Sequence, residues 1–226
     1  MRKYFLTALV ALLAAPCFAQ YGDPLYTSDN GKFAFDILDH FGVGYNIVNT
    51  DDYTPNGSTD VFLNVAEIGL YPTKNFGLEV GVDLQFNAFY SKETAFAQVD
   101  KIIKPVAFSA LGLGDNFDRK RGCFSVFGLG APVLLKGSFG NFQIGVGGIA
   151  SWNITADNDA RLRKDNRRLI YEESSAKANP FSYCFLGTLS YEEIGAYIKY
   201  NPKSSRLLPD GSIDMSFITL GVFFKM

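Results

Sequence analysis

The sequence has one histidine, one tryptophan and three cysteines in 226 residues, and charged side chains make up only 19% of it. So small a stock of His and Cys, with no pair at ligand spacing, argues against a zinc site. The cysteines are too few for the disulfide framework of a small secreted domain. The formal net charge is −2, so there is no basic excess to suggest nucleic acid as a partner. Beyond residue 20 no apolar run approaches the roughly 18 residues of a transmembrane helix. A P-loop, a dinucleotide fingerprint, a zincin motif and a calcium loop are all missing. What is plentiful is glycine (22) and phenylalanine (21), in a chain 47% hydrophobic. That composition excludes a disordered chain and a coiled coil.

The first twenty residues read as an address. Met1-Arg2-Lys3 is a basic start, Phe5 to Ala15 is an apolar core, and the small residues Cys17 and Ala19 stand just before Gln20. This predicts a signal peptide over residues 1–19, cleaved after Ala19, with residues 20–226 as a single domain. A buried N-terminal helix would fit the apolar run but not the basic start or the small-residue exit. Cys17 would suit a lipoprotein, but Pro16 beside it departs from the usual lipobox. An exported chain with no transmembrane helix is either soluble or a membrane β-barrel, and periodicity has to separate the two.

The clearest run is Phe76 to Tyr90. Phe76, Leu78, Val80, Val82, Leu84, Phe86, Ala88 and Tyr90 make one face wholly apolar or aromatic. Gly77, Glu79, Gly81, Asp83, Gln85 and Asn87 make the other polar or glycine, with Phe89 its one exception. Period two over fifteen residues is far longer than an ordinary strand and enough to cross a bilayer, which needs about 9–11. Similar alternation at 142–154, 181–191, 194–200 and 213–226, and noisier patterns at 33–48, 60–71 and 122–135, bring the total to eight segments. In 60–71 the polar residues Asn64 and Glu67 fall on opposite faces, which leaves the register open.

The connectors give an independent test. Residues 49–59, 72–75, 91–121, 136–140, 155–180, 192–193 and 202–212 alternate long and short without exception. Short turns on the periplasmic side and long loops outside (49–59, 91–121, 155–180, 202–212) are the pattern of an outer-membrane barrel. Ile102 to Leu113 reads as structure within the second long loop. A soluble lipocalin-like barrel binding a small apolar ligand also alternates, with the polarity reversed. Two details favour the membrane. Aromatics gather at the strand ends, with Tyr45, Tyr90, Trp152, Phe181, Tyr183 and Tyr200 at one rim and Phe76, Phe142, Tyr191 and Phe224 at the other. That matches two interfacial girdles. The polar faces also carry repeated glycine, which suits a narrow, crowded interior.

Thr219-Leu220-Gly221-Val222-Phe223-Phe224-Lys225-Met226 resembles the C-terminal barrel-assembly signal, with Thr219, Gly221, Phe224 and Met226 at its defined positions and Met in place of the commoner Phe. Together with Cys123 to Lys136 and Ile194 to Tyr200, it makes the chain resemble a small bacterial outer-membrane β-barrel protein of OmpA/OmpX-like architecture, in the PorT-like group. The resemblance implies an all-β, eight-stranded antiparallel up-and-down transmembrane barrel in the bacterial outer membrane. It also implies contact with the barrel-assembly machinery through the last strand. Such a group is defined by fold, so it implies location more than activity.

Chemistry is thin. No catalytic, cofactor-binding or metal-ligating set is expected, and no cofactor. His40, the only histidine, points inward near the periplasmic side, where a hydrogen-bonded lumen residue is the plainer reading. A Ser–His hydrolase acting on lipid would lack its base. Glu79 and Asp83 share one face and point into the lumen. They read either as an acid/base pair or cation path, or as part of a salt-bridged plug with Lys199, Lys225 and His40, since buried charges need partners. Arg161-Leu162-Arg163-Lys164-Asp165-Asn166-Arg167-Arg168 packs five basic residues into eight, joined from the neighbouring loop by Arg119-Lys120-Arg121. It suits anionic outer-leaflet lipid or an acidic surface polymer, or it is a solvated charged loop. The leading expectation is a monomeric, non-enzymatic envelope barrel with a structural or loop-mediated binding role, toward outer-membrane lipid or an envelope protein. A lipid-modifying outer-membrane enzyme is a distant alternative.

Overall fold

The structure, a computed structural model, describes residues 26–27, 33–99, 102–111, 117–164 and 167–226. The expected signal peptide lies outside them. Its strands are β1 (Tyr26–Thr27), β2 (Phe33–Ile37), β3 (His40–Asn49), β4 (Pro55–Leu70), β5 (Phe76–Ser91), β6 (Thr94–Val99), β7 (Ile102–Ala107), β8 (Arg119–Phe139), β9 (Phe142–Lys164), β10 (Arg167–Ala176), β11 (Phe181–Tyr191), β12 (Ile194–Asn201) and β13 (Ser216–Lys225), and no helix occurs among the described residues.

Eight of these strands close a barrel. β3, β4, β5, β8, β9, β11, β12 and β13 pair antiparallel in that order. β13 then returns to β3, with Leu220 opposite Tyr45 and Phe224 opposite Phe41. Closure removes every edge that an open sheet would expose within the barrel. Alternation sets the polarity: Ile47, Val80, Val146, Phe185 and Leu220 face outward and exposed, while Asp60, Asn64, Glu79, Asp83 and Lys199 are buried inside. Apolar outside and polar inside is the arrangement of a barrel solvated by lipid. The soluble, ligand-carrying barrel requires the reverse, and the structure overturns it. Nine of the ten rim aromatics stand exposed on the outer surface. The tenth, Tyr90, departs from the expected rim: its ladder runs through Cys123 to Asp159, seven residues past Trp152, and the Arg121 guanidinium covers its ring at 3.5 Å.

Of the one-residue bulges among the described strands, three matter for the faces of the barrel. Between Asn64↔Asp83 and Ala66↔Val82, β4 carries the extra residue Val65. Parity therefore switches there, and both Asn64 and Glu67 are buried on the inner face; this resolves the register that the sequence left open. Opposite it, the expected segment 33–48 breaks into β2 and β3. Leu38, at φ 56°, sits in a stretch one residue longer than the part of β4 it faces. The third bulge is Ile154, between Gly128↔Asn153 and Phe127↔Thr155.

The bulge at Ile154 explains the largest departure from expectation. Residues 155–180 are not a loop. β9 runs on to Lys164, and β10 folds back along it, so that β8, β9 and β10 form a three-stranded ribbon continuing past the barrel. The parity flip ends the outward apolar series at Ile154, and the sequence pattern stops there although the strand does not. Within 91–121, β6 and β7 pair as a separate hairpin, and β8 begins at Arg119. The 136–140 turn likewise shrinks, because β8 continues to Phe139.

The long connectors pack together over one mouth of the barrel. Phe89 stacks on Phe124 at 4.8 Å, Phe96 meets Phe124 edge-on at 4.9 Å, and Phe217 meets Phe89 at 5.2 Å. Tyr53, Ile103, Leu207, Leu208, Ile213 and Met215 complete this apolar cap. Burial, with Asp52 nearby, raises the Tyr53 phenol above its usual range. Phe89, the lone exception on the polar face of its strand, is the cap's contribution from β5.

Cys123 and Cys184 are not joined in a disulfide among the described residues. β9 separates them, and their partners on it, Asp159 and Ile149, are ten residues or roughly 33 Å apart along the strand. A disulfide needs Cα atoms within about 7 Å. Peptide mapping without reductant should recover both cysteines unlinked. A Cys123–Cys184 peptide would refute the strand order.

Candidate functional site

The lumen is a packed polar network. Near its middle, Lys199 Nζ donates to both oxygens of Asp60, at 2.8 and 3.1 Å, and the Tyr197 hydroxyl donates to the same carboxylate at 2.7 Å. Asn64 Nδ2 donates to Asp83 Oδ1 at 3.0 Å. Thr219 donates to Asn46 at 2.6 Å, and Asn46 in turn to Asn87. Toward the short-turn end, Lys136 bonds Glu79 and lies 3.6 Å from Glu67, while the Tyr71 hydroxyl also donates to Glu79. Lys225 donates to Gln143 Oε1 at 2.6 Å. His40 Nδ1 meets Asp39 Oδ2 at 2.9 Å, and its ring packs between Phe62 and Phe223.

All five residues expected in this network, Glu79, Asp83, Lys199, Lys225 and His40, face the lumen or its short-turn mouth. None of them bonds another. Lys199 takes Asp60, Glu79 takes Lys136, and Asp83 takes Asn64. Asp60 and Lys136 were not anticipated: the first opens a noisy segment, and the second reads as a turn residue until β8 is seen to run through it. Their inward parity within the full strands was the available signal.

Glycines make room for this filling. A Cβ on Gly195 would fall 2.1 Å from the Phe223 ring, and one on Gly221 would fall 2.3 Å from Tyr197. The glycines of one strand are sockets for aromatics of the next. Water-sized spaces lie on either side of Lys199, one lined by Gln85, Asn153 and Asn201, the other by His40, Asp83 and Gln143.

The second site is the ribbon. Arg161, Arg163 and Lys164 end β9, and Arg167 and Arg168 begin β10, so the expected basic loop is a hairpin. Register sets Arg163 between Arg119 on β8 and Arg168 on β10, and sets Arg161 beside Arg121. The register thus places these five arginine positions on one side of the ribbon, and sets Lys164 opposite Arg167 at the tip. Arg161 Nε donates to Asp159 Oδ2 at 2.6 Å. On the opposite face Leu162 is buried with Ala95 and Phe108, so the hairpin β6–β7 covers the apolar side, while Arg163 is exposed on the other.

No family model matches the chain, and no curated protein matches it. Among solved structures it is similar to Ail, the attachment invasion locus protein of Yersinia pestis, at 11% identity over 86% of this chain and 97% of that one, with TM-score 0.36. Ail in complex with the heparin analogue sucrose octasulfate gives 10% identity over the same shares of both chains and TM-score 0.38. Neisserial surface protein A gives 11% identity over 86% and 97%, with TM-score 0.36. The assignment of architecture rests on the barrel itself: eight antiparallel strands closed without an edge, lipid-facing outside and polar within, give this chain the fold of a small outer-membrane β-barrel.

Proposed function

We propose that the protein is a non-enzymatic barrel of the bacterial outer membrane whose arginine ribbon binds an acidic polysaccharide outside the cell. The observation that carries this reading is the register that sets positions Arg119, Arg163 and Arg168 in a row beside Arg121 and Arg161, across a three-stranded ribbon. Residues 118–121 and 161–168 hold eight Arg or Lys against two Asp. Height selects the ligand. Arg161 lies nine residues beyond Trp152 at the aromatic rim, about 30 Å along the strand. At a tilt of about 40° this is roughly 23 Å above the interface. Lipid phosphates sit at the rim itself, so a polyanion extending away from the membrane is the better match. The lumen supports the non-enzymatic reading: His40 bonds Asp39 at the short-turn end, away from any outer-leaflet substrate. A closed barrel suits a monomer, and the tail of β13 suits engagement by the assembly machinery.

Replacing Arg161, Arg163, Arg167 and Arg168 together by Gln should weaken binding to dextran sulfate about tenfold or more at low salt. Each exposed charge contributes about 0.2–1 kcal/mol, and 1.4 kcal/mol is a factor of ten. The difference should shrink as salt screens the attraction. Unchanged binding at low ionic strength would end the proposal. A loss confined to lipopolysaccharide vesicles, with dextran sulfate binding intact, would assign the site to lipid instead.

Orientation has its own test. An epitope inserted between residues 165 and 166 should be labelled on intact cells, and one between 140 and 141 only after permeabilisation. The opposite result would invert the topology.

A further inference from the structure

We propose that Asp39, His40 and Glu67, at the short-turn mouth of the lumen, form a binding site for a divalent transition metal, with zinc(II) the best fit. One ligand atom from each lies within 4.8 Å of the others. The site is the product of two facing bulges. Val65 shifts β4 so that Glu67 enters the lumen, and the insertion at Leu38 brings Asp39 and His40 up against it. Without the Val65 shift, Glu67 would face the lipid side, opposite to Asn64. Bulges that re-aim side chains are a recurrent feature of functional sites.

The donor geometry is close to what the metal needs. Zinc takes His nitrogen and carboxylate oxygen at about 2.0–2.2 Å, which puts neighbouring donors of a tetrahedron roughly 3.3 Å apart. His40 Nδ1 and Asp39 Oδ2 are already 2.9 Å apart, and Glu67 closes the third corner by a movement on the order of 1 Å. Phe62 and Phe223, with ring centroids 5.5 and 5.6 Å from the imidazole, fix its plane, as second-layer packing does around metal-bound histidines.

Charge argues the same way. Asp39, Glu67 and Glu79 converge here, and Asp36 stands opposite Glu67 in register. The cations are Lys136, held by Glu79, and Lys225, which is turned to Gln143. Lys136 also forms a longer ion pair with Glu67 at 3.6 Å, so a metal ion competes with its charge at Glu67 while its contact with Glu79 can remain. An imidazole among the donors favours zinc, nickel or copper over calcium and magnesium. Three protein ligands leave a fourth position open toward the lower lumen space.

The test uses the full barrel in detergent, purified without a polyhistidine tag. Zinc titrated calorimetrically should bind with one-to-one stoichiometry and raise the unfolding temperature. Because His40 is the only histidine, its imidazole NMR signals should shift on binding. His40→Gln and Glu67→Gln should each lower zinc affinity at least tenfold and abolish the thermal shift, whereas Asp210→Asn, in a distant connector, should leave both unchanged. If His40→Gln does not fold, Glu67→Gln decides alone, because it preserves the packing around the ring. No binding by the wild type, full binding by Glu67→Gln, or equal stabilisation by calcium would overturn the proposal.

Discussion

Replacing Lys199 by Met should destabilise the barrel by about 3–5 kcal/mol, the usual cost of removing one partner from a buried ion pair. The Lys199 and Asp60 side chains are 5% and 2% exposed. Substitution leaves the carboxylate with only the Tyr197 hydroxyl, in a lumen that gives it little water. Asp60→Leu should cost a similar amount, by stranding the ammonium against the Phe62 ring 4.5 Å away. The double variant should recover much of the loss, since an apolar pair of similar volume can match a buried salt bridge. Chemical unfolding in micelles, followed by heat-modifiable gel mobility, gives all four corners of the cycle. Single variants within about 0.5 kcal/mol of wild type would mean that water, not the partner, satisfies these charges.

Phe124→Ala should cost about 3–5 kcal/mol, and the damage should be local. Phe124 is fully buried, stacked on Phe89 and met edge-on by Phe96. Its removal takes out the ring that ties the hairpin β6–β7 to the barrel. Added protease should then cut within 92–118 while the membrane-spanning strands stay protected. Unaltered resistance in that segment would show that the hairpin is held by other contacts, such as the bond from Asn158 Nδ2 to the Phe96 carbonyl.

The barrel was legible because a bilayer demands the same thing at every outward position. From Phe76 to Tyr90 that demand is met without a gap, and connector lengths supply topology without reference to side chains. Legibility failed where one residue was inserted. Val65 made Asn64 and Glu67 look irreconcilable, and Ile154 made a 23-residue strand look like a short one followed by a loop. Ion-pair partners failed for a different reason. Which acid meets Lys199 depends on the stagger around the closed barrel, a property of all eight strands together, so that Asp60, 139 positions away, is reached rather than Glu79 or Asp83. The basic cluster was visible as composition. Its arrangement as a row across β8, β9 and β10 depends on a pairing that no single segment encodes.

The cap also has an order in time. Its core joins Phe217, on the last strand, to Phe89 and Phe124 on two earlier ones, so it cannot consolidate until the two ends of the barrel have met as β13 on β3. Before that moment the same rings line the mouth of an open half-cylinder, and the growing barrel exposes its most adhesive surface. Burial of Phe217 is thus a late event and a report on closure. A chain stalled with its last strand unzipped keeps that surface exposed and is the species most prone to aggregate.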